Sequence, residues 1–150
     1  MKIEQAINQR KFKDDYHKIV VNLLFTGNWL RDALGANLKE HGLLPQHYNA
    51  LRIIKGRHPD PVSAGDIKDV MLDKASDVTR LLDKLEKLEY VQRRLCPHNR
   101  RKMDINITPQ GLKLLSDVDV LMDTFYDDLA DRITAAEAAV LSDLLDKVRG

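Results

Sequence analysis

The stretch KASDVTRLLDKLEKLEYVQRRLCPHNRRKMDINI, residues 74–107, changes its period halfway. From 74 to 89 the apolar residues Val78, Leu81, Leu82, Leu85 and Leu88 fall three or four apart and share one helix face, with Ser76, Thr79, Arg80, Asp83 and Lys87 opposite. From Tyr90 onward the period drops to two. Val91 and Leu95 alternate with Gln92 and Arg94, and Met103, Ile105 and Ile107 alternate with Asp104 and Asn106, which is the pattern of two strands with one covered face. Between them CPHNR supplies the Pro and Asn of a hairpin tip. Residues 92–102 hold five cations (Arg93, Arg94, Arg100, Arg101 and Lys102) and no carboxylate, in a chain of formal net charge +1. Crowding like charges costs self-repulsion, so these five are expected to face an anion outside the chain.

Upstream, residues 12–40 carry Phe12, Tyr16, Ile19, Val20, Leu23, Leu30, Leu34 and Leu38 at helical spacing, and His41-Gly42 followed by Pro45 predicts the stop. Gly27 inside this helix reads as a close helix crossing. A second helix opens at Pro45, turns Tyr48, Leu51, Ile54 and, more weakly, Ile53 inward, and ends at HPDP, 58–61. Ser63 and Asp66 form the capping box of a short third helix. Downstream, Thr108-Pro109 is an N-cap with Pro at the first helical position and launches a long helix over Leu112, Leu115, Val118, Met122, Phe125 and Leu129. TAAE, 134–137, caps a last helix whose inward positions are Ala138, Leu141, Leu144, Leu145 and Val148. The expected fold is therefore mainly α with one small β-hairpin.

With 150 residues, 43% of them apolar and 31% charged, the chain reads as one globular domain. It has no apolar run long enough for a membrane and no signal-peptide core in MKIEQAINQRKFKDD, which predicts a cytoplasmic protein without membrane partners. A single cysteine, Cys96, excludes an internal disulfide and a cysteine-built zinc site. His17, His41, His47, His58 and His98 lack ligand spacing, so no metal is expected. Nucleophile elbow, glycine-rich phosphate loop and paired-carboxylate motifs are missing, so neither an enzyme nor a cofactor is expected. From Ser116 to the end nine acids face three bases, leaving a net +7 on the rest of the chain. The aspartates of 117–131 read as the solvated face of a helix. A basic part beside an acidic one suits a protein that turns one side to a polyanion.

A short helix, a turn, a helix with a small-polar outer face and then a basic-tipped hairpin form the pattern of a winged helix-turn-helix. One helix fills a major groove, and residues near its N-terminus such as Ser76, Thr79 and Arg80 reach base edges, with Lys84 further along. The hairpin follows the phosphate backbone with Arg94, Arg100, Arg101 and Lys102 and can place an arginine in the minor groove. The segments LLPQHYNALRII, ASDVTRLLDKLEKLEYVQRR and NRRKMDINITPQGLKLL resemble the DNA-binding core of the MarR (multiple antibiotic resistance regulator) family over residues 43–115. The resemblance implies a bacterial transcriptional regulator, commonly a repressor. Residues 1–42 and 109–150 would form its helical dimerisation region, and 43–108 its DNA-binding lobe. It implies a homodimer on a partly palindromic duplex, often released by a small-molecule effector.

Residue by residue, the resemblance carries recognition onto Ser76, Thr79 and Arg80, and the wing arginine onto Arg101 with Arg100 beside it. Two positions depart from the pattern: Asn99 stands where the family has the wing aspartate, and Leu44 replaces the capping threonine before Pro45. Tyr16, Trp29 and Tyr48 line an effector cleft in one reading and pack as ordinary core in the other. A second function class fits the same elements: a winged-helix module that meets an acidic protein and never DNA.

Overall fold

The computed structural model describes residues 1–150 as two compact units, Met1–Pro45 and Gln46–Gly150. In the first, a short helix α1 (Ile3–Ala6) precedes the long helix α2 (Asp15–Leu38). α2 starts at Asp15 because the Asp14 carboxylate accepts the backbone N–H of His17 at 2.8 Å, an N-cap that halts the helix short of Phe12. A 3₁₀ turn, Lys39–His41, and Gly42 in the left-handed region (φ 66°) end it where the glycine predicts. The apolar stripe of α2 is only partly covered. Leu38 is buried, whereas Tyr16, Ile19, Val20, Leu24, Phe25 and Trp29 are exposed. Gly27 marks no crossing within the chain, since a Cβ there would meet nothing within 4 Å.

The second unit holds α3 (Pro45–Arg57), α4 (Ala64–Val70), α5 (Val78–Lys87), β1 (Val91–Cys96), β2 (Asn99–Ile107), α6 (Pro109–Ala130) and α7 (Ala135–Arg149). Each predicted cap is made. Ser63 Oγ accepts the Asp66 N–H at 3.1 Å while Asp66 returns a bond to the Ser63 N–H, and Thr108 Oγ1 accepts the Gly111 N–H at 3.0 Å. Thr134 and Glu137 repeat the capping box at α7, and the Thr134 bonds hold the Glu137 carboxyl below its usual range. Leu51 and Ile54 of α3, Ile67 of α4, Leu82 and Leu85 of α5, Val91 and Ile105 of the hairpin, and Leu115 and Val118 of α6 form the core. Ile53 is only half-buried and Ala50 takes the inward place beside Leu51.

The strands pair antiparallel with Val91 opposite Ile107, Arg93 opposite Ile105 and Leu95 opposite Met103. Val62 adds a bridge that the sequence pattern does not show: it exchanges two backbone bonds with Ile105, at 3.0 and 2.9 Å, and so anchors the hairpin base to the start of α4. The covered face of the hairpin is shorter than its alternation suggests. Leu95 (66% exposed) and Met103 (38%) stand in solvent because the wing extends past the core beneath it. α7 departs further. None of its residues is buried, and Leu141, Leu144 and Val148 are each about half exposed.

At the root of the hairpin, α5 closes in a Schellman motif: the Tyr90 N–H reaches the Leu85 carbonyl and the Glu89 N–H reaches that of Glu86, both at 2.9 Å. The left-handed position is held by Glu89 (φ 61°), not by glycine. Leu88, expected to point inward, caps the helix and is exposed, because the chain leaves the helical path one residue earlier. The first turn of α6 lies against this corner. Thr108 donates its N–H to the Tyr90 carbonyl at 3.0 Å and its hydroxyl to the Glu89 carbonyl at 2.6 Å.

His47 is the one buried polar residue of the core. Burial, helped by the nearby Lys84 charge, lowers its pKa. The unfolded chain therefore takes up a proton first, and stability present above about pH 6.5 is lost as pH falls through the lower folded value, by at most about 1.4 kcal/mol per pH unit. Melting temperature followed from pH 7 to pH 5 is expected to fall for the wild type and to fall less steeply for His47→Gln. Parallel curves would remove His47 from the account.

Candidate nucleic-acid interface

Helix α5 begins later than its periodicity suggests. Asp77 accepts the Arg80 N–H at 3.1 Å and caps the helix, so residues 74–76 belong to the preceding turn. Ser76 is consequently not on the free helix face. Its Oγ is buried without a hydrogen-bond partner, whereas Thr79, Arg80 and Lys84 are exposed on the helix proper. Asn49 of α3 accepts the Leu72 N–H at 2.9 Å and ties down the turn that leads into α5.

The charges of α5 nearly cancel in the sequence, yet they are sorted in space. Asp77 is committed to the cap, and Asp83 and Glu86 are committed to Arg93 of β1. The Arg93 Nη2 donates to Asp83 Oδ1 at 2.7 Å and to Glu86 Oε1 at 3.1 Å, while its Nε and its backbone N–H reach Glu86 Oε2 at 3.3 and 3.1 Å. Arg93 holds the Glu86 carboxyl below its usual range. Arg80, Lys84 and Lys87 are exposed and form no ion pair. The expectation that all five hairpin cations face outward is therefore corrected for Arg93, which the register turns toward α5 on the same strand face as Val91.

The remaining four cations do face solvent. Arg94 donates to Gln92 Oε1 at 3.2 Å, and Arg100, Arg101 and Lys102 stand exposed along the start of β2, none of them in an ion pair. Asn99 opens the strand with its Oδ1 accepting the Arg101 N–H at 3.0 Å. The amide thus orders the Arg101 backbone and carries no charge to neutralise the guanidinium. Cys96 sits half-buried at the irregularity between Leu95 and Cys96 where the register shifts.

Tyr16 (83% exposed) and Trp29 (40%) lie on α2. Tyr48 of α3 donates its hydroxyl to Asp119 Oδ1 at 3.2 Å, and burial pushes its pKa up to about 12. Arg52 reaches both oxygens of Asp119 at 3.1 Å, with Lys55 at 3.9 Å. Asp119 is thus not part of a merely solvated face. It clamps α6 to α3, a role that helical spacing in the sequence does not signal because its partners lie about seventy positions away. No group of three His, Cys, Asp or Glu side chains stands close enough to hold a metal ion. No helix is long and apolar enough to cross a membrane.

Residues 41–102 match the family model described as MarR family, which covers α3 through most of the hairpin. The HTH-type transcriptional regulator MhqR of Bacillus subtilis is 25% identical over 119 residues, 79% of this chain and 81% of MhqR. Among solved structures, a MarR transcription factor from Planctomyces limnophilus is 27% identical with a TM-score of 0.70, over 91% of this chain and 98% of that one. S. aureus MepR, solved as a MepR-DNA complex, shares the fold at 17% identity with a TM-score of 0.77 over 92% and 97% of the two chains. Over residues 41–102 the chain thus matches the MarR family of transcriptional regulators, and along most of its length it shares the fold of those solved structures.

Proposed function

We propose that the protein binds duplex DNA as a homodimer and represses transcription by occupying a site with two related half-sites. The observation that carries this reading is the sorting of charge on α5 and the wing: Asp77, Asp83 and Glu86 are engaged by the cap and by Arg93, while Arg80, Lys84, Lys87, Arg94, Arg100, Arg101 and Lys102 are exposed without ion pairs. Such a surface meets phosphates at little desolvation cost and gives Thr79 and Arg80 access to base edges. Ser76, its hydroxyl buried, takes part in the turn ahead of the helix through its backbone N–H, which donates to the Asp73 carbonyl at 3.2 Å. The DNA complex of MepR supports carrying the duplex over as ligand.

Dimerisation follows from surface chemistry. Val20 and Leu24 of α2 and Val140, Leu141, Leu144 and Val148 of α7 are roughly half to two-thirds exposed. A symmetric second copy is the usual cover for such stripes, which makes residues 1–42 and 109–150 the dimerisation region and 43–108 the DNA-binding lobe. Release by a small molecule completes the reading. Tyr16 and Trp29 offer it aromatic surface, whereas the Tyr48 hydroxyl is already engaged.

Selection from a random duplex pool at about 150 mM salt tests the whole reading. The expected product is an inverted repeat with half-sites about 10 bp apart, bound by two protomers. Binding without enrichment would reject sequence reading, and no retained duplex would favour the protein-interaction module instead.

A further inference from the structure

Arg93 is the one wing cation that the DNA reading leaves without a task, and its surroundings assign one. Its side chain is 22% exposed, less than Asp83 (60%) or Glu86 (42%), so the guanidinium lies under the two carboxylates and not out in solvent. Asp83 and Glu86 are three residues apart and project from the same side of α5. One planar guanidinium spans both: Nε and Nη2 form a fork on Glu86, and the same Nη2 reaches Asp83. A lysine ammonium, a point charge on a flexible stem, has no such fork. The backbone N–H of Arg93 adds a third bond to Glu86, so strand and helix are held at one spacing by both main chain and side chain.

We infer that Arg93 is a positioning residue for DNA binding, which locks β1 of the wing to the recognition helix and shields phosphate from the two carboxylates of that helix. The inference rests on the DNA reading above. Without the guanidinium, Asp83 and Glu86 would repel each other and would oppose any phosphate within a Debye length of roughly 8–10 Å. Arg93 therefore acts through α5 and needs no contact with DNA of its own. The function of the remaining cations depends on it, since Arg80, Lys84 and Lys87 share the helix with those carboxylates.

The test is a double-mutant cycle read as affinity of the full-length chain for a labelled duplex that carries the repeat recovered by selection. Arg93→Gln is expected to lose about tenfold or more in affinity, and Asp83→Asn/Glu86→Gln, which weakens the lock but exposes no carboxylate to phosphate, to lose clearly less than Arg93→Gln. Placed on Arg93→Gln, the same pair of neutral substitutions is expected to regain the part of the loss that the bared carboxylates cause, a coupling of at least about fivefold. Additive effects would overturn the inference, because an arginine that only touched phosphate or only stabilised the fold gains nothing from neutralising Asp83 and Glu86. If Arg93→Gln lacks the cooperative melt of the wild type, the cycle is run from Arg93→Lys, where coupling of the same sign is expected and its absence is equally decisive. A wild-type chain that retained no duplex would overturn the DNA reading and this inference together. Retention with additive losses would overturn the inference alone.

Discussion

Gly111→Ala is expected to destabilise the winged-helix unit by about 2–3 kcal/mol and to lower its melting temperature by roughly 5–10 °C. A Cβ at this position would stand 2.3 Å from the Tyr90 carbonyl oxygen and 2.8 Å from Ile107 Cγ1. The first contact is with backbone, and that carbonyl already accepts the Thr108 N–H at 3.0 Å, so it cannot turn aside without releasing a bond. Ala would otherwise be favoured over Gly inside a helix by about 1 kcal/mol, so the predicted sign measures the clash against that gain. Gly56 of α3 is the control. A Cβ added there would meet nothing within 4 Å, and Gly56→Ala is expected to be neutral or stabilising by up to about 1 kcal/mol. Equal melting temperatures for the two variants would show that the corner between β1 and α6 yields, contrary to the packing described.

Raising salt from about 50 to 200 mM is expected to weaken binding to the selected duplex by roughly 10³-fold or more, provided two wings and two recognition helices each release counterions. Within that total, two arginines should behave differently. Arg101 is exposed on the wing with its backbone ordered by Asn99 and its guanidinium unpaired. Arg101→Ala should weaken all sequences alike and reduce the salt slope by about one. Arg80 projects from the first turn of α5, directly after the Asp77 cap. Arg80→Ala should cost about 1–3 kcal/mol and relax the preference at one base pair of each half-site. Competition assays against single-base variants of the duplex separate the two outcomes. Uniform losses for both would reject a division between backbone and base contacts.

The same two arginines show where sequence and structure each speak. Local patterns are encoded locally: the Ser63, Thr108 and Thr134 caps, the glycine stop at Gly42 and the switch from helical to strand period near Tyr90 depend on neighbours a few positions away, and each is legible in the linear chain. The cap of α5 shows the limit of that method. Asp77 and Ser76 are both good caps and stand side by side, so periodicity alone runs the helix back to Lys74, and the hydrogen bond to Arg80 decides for Asp77.

By itself the sequence determined the order of elements, the basic wing and the family resemblance, because period, caps and charge clusters are properties of short segments. Only the tertiary structure decided which charges remain available. The pairing of Arg93 with Asp83 and Glu86 spans ten and seven positions, and that of Asp119 with Tyr48 spans seventy-one. Such pairs form when strand register and helix packing bring the partners within about 3 Å. No local pattern separates a cation that will be neutralised in this way from one that will stay exposed.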